Sequence, residues 1–208
     1  MAMFQPVAEA DANDAVQATY GRIKEMFGAE IVPAPFLYLG RVDAFLKDFY
    51  MNYKKFVHGS GALDGKTRKA IALAVSCHAK SKPWMVYFRE ACLAEGWEEQ
   101  QIAEIIAVAS TNYMYNTFFK FRELSGSQLF DGLPVGLRAH TFTNVSLDEK
   151  LVELIDIAIS DLNACKPCVS GHVTKARNLG LNDEQILEAV QCASVVYAGS
   201  MFVNSALD

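Results

Sequence analysis

The chain has 208 residues, 51% of them hydrophobic, with a formal net charge of −5 and a pI near 5.4. This acidic balance, without any Lys/Arg-rich run, disfavours nucleic acid and anionic membranes as partners. The first residues lack the basic and apolar segments of a secretion signal, and we expect no charge-free apolar run of about 18 residues. We therefore predict a soluble, cytoplasmic protein that acts on small molecules.

The amino-terminal part, residues 1–60, is predicted to be helical. Candidate caps at residues 11–14 open a helix that runs to Phe27 and stops at Gly28. Residues 31–35 contain two prolines and predict an extended connector. Residues 36–57 then carry apolar side chains at helical spacing, which predicts one continuous helix.

An internal repeat organises the rest of the chain. Residues 63–121 align without a gap on residues 147–205, at a constant offset of 84 residues, the separation of Leu63 and Leu147. We predict a first repeat at 61–124, a connector at 125–146 and a second repeat at 147–208. Identical pairs include Asp64/Asp148, Ser76/Ser160, Pro83/Pro167, Gly96/Gly180, Glu104/Glu188 and Tyr113/Tyr197.

The sequence of each repeat predicts three helices. The first opens at Asp64 or Asp148, the second begins at the Lys-Pro pair and stops at Gly96 or Gly180, and the third starts just beyond. The connector is rich in turn residues, with a short extended piece expected at 142–145. No pair of strands is convincing, so we predict an all-α fold in which a duplicated three-helix repeat packs as one body.

A C-x-x-C-x-x-x-H run occurs in the second copy only. It comprises Cys165, Cys168 and His172, whereas the first copy has Ser81, Trp84 and Phe88 at the matching positions. Proline is tolerated in the first turn of a helix, so Pro167 predicts that both thiols lie at a helix amino-terminus. The positive end of a helix lowers thiol pKa values from about 8.5 to roughly 7 in such pairs. The second copy therefore carries the chemistry, and the first is structural.

His172 lies on the same helical face as both thiols. It follows Cys168 by one turn, at about 40° around the helix. A base in this position can take the thiol proton and activate a nucleophile. The sequence therefore predicts a thiol-based site rather than two unrelated cysteines.

With Glu153 twelve positions before Cys165, these residues match the signature of the AhpD-like alkylhydroperoxidases of the carboxymuconolactone decarboxylase family, which the chain resembles over both repeats. The resemblance implies a helical peroxidase in which Cys168 attacks a hydroperoxide and Cys165 resolves the product as a disulfide. It also implies a Glu153–His172 proton relay and an external dithiol reductant of the lipoyl or thioredoxin type. Pro167 stands where the archetypal enzyme has a second histidine.

Alternative functions remain at this point. Zinc could use Glu153 as a fourth ligand, although we expect no bound metal and no cofactor. A decarboxylase or lactone-processing enzyme of the same family would not need the cysteines. A non-catalytic redox sensor would use the disulfide to alter its assembly. The high apolar fraction, with the resemblance, predicts a homo-oligomer that is a trimer or a multiple of one.

Several other residues have structural interpretations. We expect Cys165 to be more exposed than Cys168, and Lys69, the counterpart of Glu153, to lie on a solvated face. His58, His78 and His140 are predicted to be loop or surface residues. Cys192 and the repeated tyrosines are expected in packing roles. The aromatic stripe of Met114, Tyr115, Phe118, Phe119 and Phe121 is predicted to be core or interface, with some members available to line a small apolar pocket.

Overall fold

A computed structural model describes residues 2–130 and 132–207, and all of the regular structure within these ranges is helical. This confirms the all-α prediction. Short 3-10 turns lie at Glu9–Asp11, Gln128–Phe130 and His140–Phe142. The helices are α1 (Asp14–Phe27), α2 (Ala34–Leu39), α3 (Asp43–Tyr53, continued by a π turn at Lys54–His58), α4 (Gly65–His78), α5 (Lys82–Ala94), α6 (Glu99–Leu124), α7 (Glu149–Leu162), α8 (Lys166–Asn178) and α9 (Asp183–Leu207).

The helix predicted at 36–57 is wrong in one respect, because the structure breaks it into α2 and α3. The Leu37 carbonyl accepts the Val7 amide (2.9 Å) instead of the amide of Arg41, which would continue the helix. A side chain at Gly40 would overlap the Tyr20 hydroxyl. Contacts with the amino-terminal segment therefore end α2, and periodicity within 36–57 could not reveal them.

The two halves repeat the same local geometry. Lys80 and Ala164 both take the left-handed conformation before their Lys-Pro helix, with φ of 57° and 51°. Gly96 and Gly180 end the second helix of each half with φ of 78° and 87°, a conformation that glycine adopts without strain. The division into 61–124, 125–146 and 147–208 stays a prediction, since these matching turns lie within the two repeats and not at their boundaries.

The third helix of each half packs against the other half. Helices α4 and α7 lie side by side at the centre, α5 packs on α4 and α8 on α7, and both α6 and α9 contact the central pair. Glu104 of α6 accepts the Ser146 amide ahead of α7 (2.9 Å), and Glu188 of α9 accepts the Ala62 amide ahead of α4 (2.6 Å). Each repeat therefore completes the core of the other.

The connector also differs from its prediction. The extended piece expected at 142–145 is wrong, since a 3-10 turn at His140–Phe142 comes first and residues 143–147 form turns and bends. The Asn144 amide bonds the His140 carbonyl (2.8 Å), which curls the chain and brings Phe142 against α6. The connector thereby reaches one side of the second repeat.

Helix α9 contradicts the expectation that no long charge-free run exists. The segment from Ala189 to Leu207 has no charged side chain, and by length and composition α9 would suffice to cross a membrane. Half of its most apolar window is buried within the protein. That burial, against α4 and α7, is the pattern of a core helix.

Candidate active site

Cys165 and Cys168 are joined in a disulfide at the start of α8, with their Cα atoms 5.3 Å apart. Cys165 is the cap residue and Pro167 lies in the first turn, as the sequence predicted. The Cys165 amide donates to the Ser160 carbonyl (3.0 Å), and Ala164 turns the chain in the left-handed conformation. These contacts fix the motif to the end of α7.

The order of exposure within the pair is the reverse of the prediction. Cys165 is fully buried (0% exposed), whereas Cys168 is 7% exposed and lines a cleft. The turn that ties Cys165 to Ser160 directs this side chain into the interior, like Ser81 in the first repeat, which is also fully buried. Cys168 is therefore the sulfur that a molecule in the cleft can reach.

Glu153 and His172 meet between α7 and α8. Glu153 Oε2 is 2.8 Å from His172 Nδ1, and its Oε1 accepts a hydrogen bond from Lys175 Nζ at 2.6 Å. The Glu153 side chain is 1% exposed, while that of His172 is 20% exposed. Because Nδ1 faces the carboxylate, it carries the proton of a neutral ring and Nε2 keeps a free lone pair.

Glu153 is held in its ionised form. Burial, the largest influence, raises the pKa of this carboxyl, but the hydrogen bonds from His172 and Lys175 together bring the pKa below its usual value. The bond to Glu153 in turn raises the pKa of Lys175. At neutral pH the pair is therefore a carboxylate and an ammonium, whose charges cancel.

Asp156, which sequence reasoning missed, lies beside this pair. It is fully buried, neither carboxyl oxygen has a hydrogen-bond partner, and Oδ2 is 3.7 Å from His172 Nδ1. Burial, and then the charge of Glu153, raise the pKa of Asp156 well above its usual value. The available signal was an acidic residue one turn after Glu153, in a stretch, residues 151–159, whose other side chains are apolar.

The cleft beside Cys168 has a volume of about 310 Å³ and a largely aromatic wall. Part of that wall comes from α6 of the first repeat, and Phe142 of the connector lies against the His172 ring with centroids 6.2 Å apart. Two members of the predicted aromatic stripe, Tyr115 and Phe119, do line it. The lining residues are Asn112, Tyr115, Phe119, Phe142, Pro167, Cys168, Gly171, His172 and Lys175.

A buried amide network behind the cleft anchors α6 to α7, and it was also missed. Asn112 Nδ2 donates to the Asp156 carbonyl (2.7 Å) and to Ser160 Oγ (3.1 Å). Asn116 Nδ2 donates to Ser160 Oγ (3.0 Å), and Asn163 Nδ2 donates to Asn116 Oδ1 (3.0 Å). Buried amides with satisfied partners fix the register of two packed helices.

The chain is similar to known proteins over most of its length. The model of the carboxymuconolactone decarboxylase family matches the chain twice, at residues 46–115 and 129–208. The chain belongs to this family. Within it, the protein is AhpD-like. An alkyl hydroperoxide reductase AhpD of Solibacter usitatus is 28% identical over 162 residues, which cover 76% of this chain and 89% of the relative. Its counterpart from Anaeromyxobacter dehalogenans strain 2CP-1 is 27% identical over 149 residues, covering 70% and 78%.

Solved structures share the family fold. A peroxidase-related protein with an alkylhydroperoxidase AhpD core, from Ralstonia eutropha, aligns with a TM-score of 0.66 at 14% identity, covering 98% of this chain and 88% of its own. A putative gamma-carboxymuconolactone decarboxylase subunit of Burkholderia xenovorans aligns with a TM-score of 0.63 at 16% identity, covering 91% and 94%. At these identities the likeness shows the fold alone.

The AhpD-like protein has no matching cleft in its first repeat, because aromatic side chains fill that position. Trp84 and Phe88, the counterparts of Cys168 and His172, are buried and stack with ring centroids 5.5 Å apart. Helices α2 and α3 cover them with Phe36, Phe49 and Tyr53. The amino-terminal helices therefore close the site that the second repeat leaves open.

The prediction of a solvated Lys69 is wrong. This counterpart of Glu153 is 7% exposed, and its amine donates to the Val57 carbonyl at 2.9 Å. Burial lowers the pKa of Lys69. The π turn at Lys54–His58 supplies the carbonyl that compensates for burying the amine.

The other histidines and cysteines lie away from the motif. His58 packs edge-on against Phe27, and His78 lies against Tyr113, so both are half-buried and the surface prediction holds only for exposed His140. Cys192 is fully buried in the core, as predicted, and burial raises its pKa to about 12. Cys192 and these three histidines therefore do not form a second site of the C-x-x-C-x-x-x-H kind.

A divalent cation has one cluster of donors available among the described residues. Ligand atoms of Glu153, Asp156 and His172 lie within 4.8 Å of one another. Lys175 and the His172 hydrogen bond already satisfy Glu153, and the two sulfurs are bonded to each other. The donor set fits proton sharing better than the thiolate-rich coordination of a structural zinc.

Proposed function

We propose that the protein is a thiol-dependent peroxidase that reduces organic hydroperoxides through a Cys165–Cys168 dithiol/disulfide cycle. The observation that carries this proposal is the disulfide beside an apolar cleft that also contains His172, whose ring is oriented by buried Glu153. The names of the AhpD relatives support the same reaction class. Carboxymuconolactone decarboxylation would leave the thiols without a role.

In the first step the reduced protein uses Cys168 as nucleophile. His172 Nε2 takes the thiol proton, and the Glu153 carboxylate stabilises the imidazolium through Nδ1. The thiolate attacks the outer peroxide oxygen, so an S–O bond forms and the O–O bond breaks. The imidazolium returns the proton to the departing alkoxide, which leaves an alcohol and a sulfenic acid on Cys168.

In the second step Cys165 resolves the sulfenic acid. Its sulfur attacks the Cys168 sulfur, an S–S bond forms, and hydroxide leaves with the Cys165 proton as water. The helix amino-terminus at Cys165 favours the attacking thiolate. Because the two cysteines lie one turn apart, the disulfide forms with little movement of the backbone.

In the third step an external dithiol restores the thiols. Because Cys165 is fully buried and Cys168 borders the cleft, the reductant in this scheme meets Cys168 rather than Cys165. A lipoyl or thioredoxin-type thiolate attacks the Cys168 sulfur, and Cys165 leaves as a thiolate. The second thiol of the donor then releases Cys168, so two electrons and two protons reach the protein in each cycle.

Steady-state peroxide consumption tests the proposal. Dihydrolipoamide, thioredoxin and glutathione are compared as donors with an organic hydroperoxide and with hydrogen peroxide. We expect sustained turnover with a dithiol donor, loss of turnover in Cys165→Ser and in Cys168→Ser, and normal turnover in the control Cys77→Ser. Oxidation that stops after one equivalent would favour a redox sensor, and decarboxylation that survives loss of both cysteines would favour the family's other activity.

A further inference from the structure

A buried carboxyl next to the relay has no role in the steps above. Asp156 projects from α7 toward α8, is fully buried, and leaves both oxygens without hydrogen bonds. Its Oδ2 lies 3.7 Å from the same His172 nitrogen that bonds Glu153. The first repeat has Ala72 at this position, so the fold itself does not require an acid there.

The charges around Asp156 come from α7 and α8. Besides burial, Glu153 on its own helix raises the pKa of Asp156 and Lys175 on α8 lowers it, while His172 Nδ1 lies 3.7 Å from Asp156 Oδ2. From α6, the uncharged amide of Asn112 reaches the Asp156 carbonyl. The buried charged side chains of α4 and α9 bond elsewhere: Arg68 with Glu188 at 3.0 Å, and Lys69 with the Val57 carbonyl.

These contacts leave the combined charge of Asp156 and His172 to be set by proton binding. Glu153 and Lys175 neutralise each other, so the remaining pair is neutral either as carboxylic acid with imidazole or as carboxylate with imidazolium. Burying an isolated charge is costly, which disfavours every state in which only one member of the pair is charged. Ionisable groups that interact strongly titrate as a pair, not as separate residues.

We propose that Asp156 is a positioning residue whose ionisation is coupled to protonation of His172 and so sets the pH range in which Cys168 becomes a thiolate. The inference rests on the proposed function in taking Cys168 as the nucleophile. When the Cys168 S–H bond breaks and an N–H bond forms on His172, the Asp156 O–H bond breaks and that proton passes to water. The thiolate and imidazolium then face a carboxylate pair that stabilises the cation.

The pH dependence of Cys168 alkylation tests this proposal without any peroxide. In a Cys165→Ser background, the rate of reaction with iodoacetamide is followed from about pH 5 to 9, where imidazoles and activated thiols titrate. Asp156→Asn keeps the shape of the side chain but cannot ionise. Asp161→Asn makes the same substitution at the exposed end of α7 and is the matched control.

In the Cys165→Ser parent, we expect the alkylation rate of Cys168 to rise with pH through two coupled steps. The Asp161→Asn variant should give the same profile. Asp156→Asn should give a single step moved upward by about one pH unit, with the rate at the parent midpoint lowered roughly 3- to 10-fold. A role in packing alone would change stability but not the shape of the profile. Superposition of the Asp156→Asn and parent profiles would overturn the proposal.

A measurement on the native side chain covers the case in which Asp156→Asn does not fold. The ¹³C signal of the Asp156 carboxyl should shift in the same pH interval as the His172 ring signals. An Asp156 that is already ionised above about pH 5, like an ordinary aspartate, would contradict the coupling to His172. A shifted alkylation profile in a protein that consumes no peroxide would keep this inference and remove the peroxidase function.

Discussion

The His172 ring is oriented by the hydrogen bond between its Nδ1 and Glu153. Nδ1 lies 2.8 Å from buried Glu153, which leaves Nε2 for the cleft that it shares with Cys168. The arrangement requires that the neutral ring carry its proton on Nδ1, and Glu153 selects that tautomer. The lysine beside them, Lys175, keeps Glu153 ionised when the ring changes its charge.

Removing the base should therefore slow the first chemical step. We expect His172→Ala to reduce the rate of single-turnover peroxide reduction by about 10²- to 10⁴-fold, the usual loss for a general base. Stopped-flow measurement of peroxide loss gives this rate directly. His78→Ala is the control, because that half-buried ring packs against Tyr113 away from the motif, and an equal loss in both variants would contradict the role of His172.

The raised pKa of Asp156 has a consequence for stability. The folded protein binds this proton more tightly than the unfolded chain does, so the stabilisation is fully present below about pH 4, the unfolded pKa, and is lost as pH rises toward the folded pKa. Relative to Asp156→Asn, the wild type should lose at most about 1.4 kcal/mol of unfolding free energy per pH unit above pH 4.

Denaturant unfolding of wild type and Asp156→Asn across this range measures the difference. Replacing the carboxyl by an amide also changes the unfolding free energy by an amount that does not depend on pH. The slope of the free-energy difference against pH therefore reports the titration of Asp156 alone. A free-energy difference that does not vary between about pH 4 and 7 would show that Asp156 titrates normally in the folded protein.

The residues of the site differed in how well the sequence revealed them. Cys165, Cys168 and His172 stood out because spacing and the degenerate first copy mark them, and Glu153 came from the family signature alone. Asp156 was hidden because its spacing from Glu153 matches no motif and its contact with His172 depends on how α7 packs on α8. The relative burial of the two sulfurs depends on a turn anchored to Ser160, which spacing does not describe.

At the scale of helices, local signals were sufficient where both ends of an element are marked in the sequence. Asp64 and Asp148 cap their helices, accepting the amides of Thr67 and Lys150. The Lys-Pro starts and glycine stops lie where predicted. The break at Gly40 and the curled connector depend on contacts with distant segments, and helical periodicity could not predict either.

The aromatic cluster around Trp84 in the first repeat leaves no room for a larger residue at Gly199 of α9. A Cβ on Gly199 would lie 2.5 Å from a ring atom of Phe49 and 3.3 Å from Trp84, so Gly199→Ala overpacks the aromatic cluster. We expect a loss of about 1–3 kcal/mol in unfolding free energy.

The matched control for this change is Gly21→Ala, at an exposed position of α1, where nothing lies within 4 Å of an added Cβ. That substitution should instead stabilise by about 0.5–1 kcal/mol, because alanine favours the helix. Equal effects of the two substitutions in denaturant unfolding would contradict close packing of α9 on the first-repeat site.

On the scale of the whole molecule, the two repeats are not independent. Helix α6 belongs to the first repeat but lines the cleft of the second, and α9 makes the reciprocal contact. The first repeat and the amino-terminal helices therefore serve as the scaffold for a site that the second repeat could not enclose alone. Aromatic side chains fill the first-repeat position, and the C-x-x-C-x-x-x-H motif is accordingly present in the second repeat alone.

Assembly is a further prediction at this scale. Apolar side chains remain exposed near the cleft and the connector, among them Phe121, Leu124 and Leu129. We expect these surfaces to be covered in a homo-oligomer that is a trimer or a multiple of one. Light scattering at micromolar concentration should give a mass of at least three subunits, and a mass near 22.9 kDa would contradict it.

The most direct test of the central claim is a single turnover with one cysteine left in the pair. Reduced Cys165→Ser should consume about one equivalent of hydroperoxide and carry a dimedone adduct on Cys168, because the sulfenic acid has no partner to resolve it. Reduced Cys168→Ser should consume none. A dimedone adduct on Cys165, in a Cys168→Ser protein that reacts at the wild-type rate, would contradict the account.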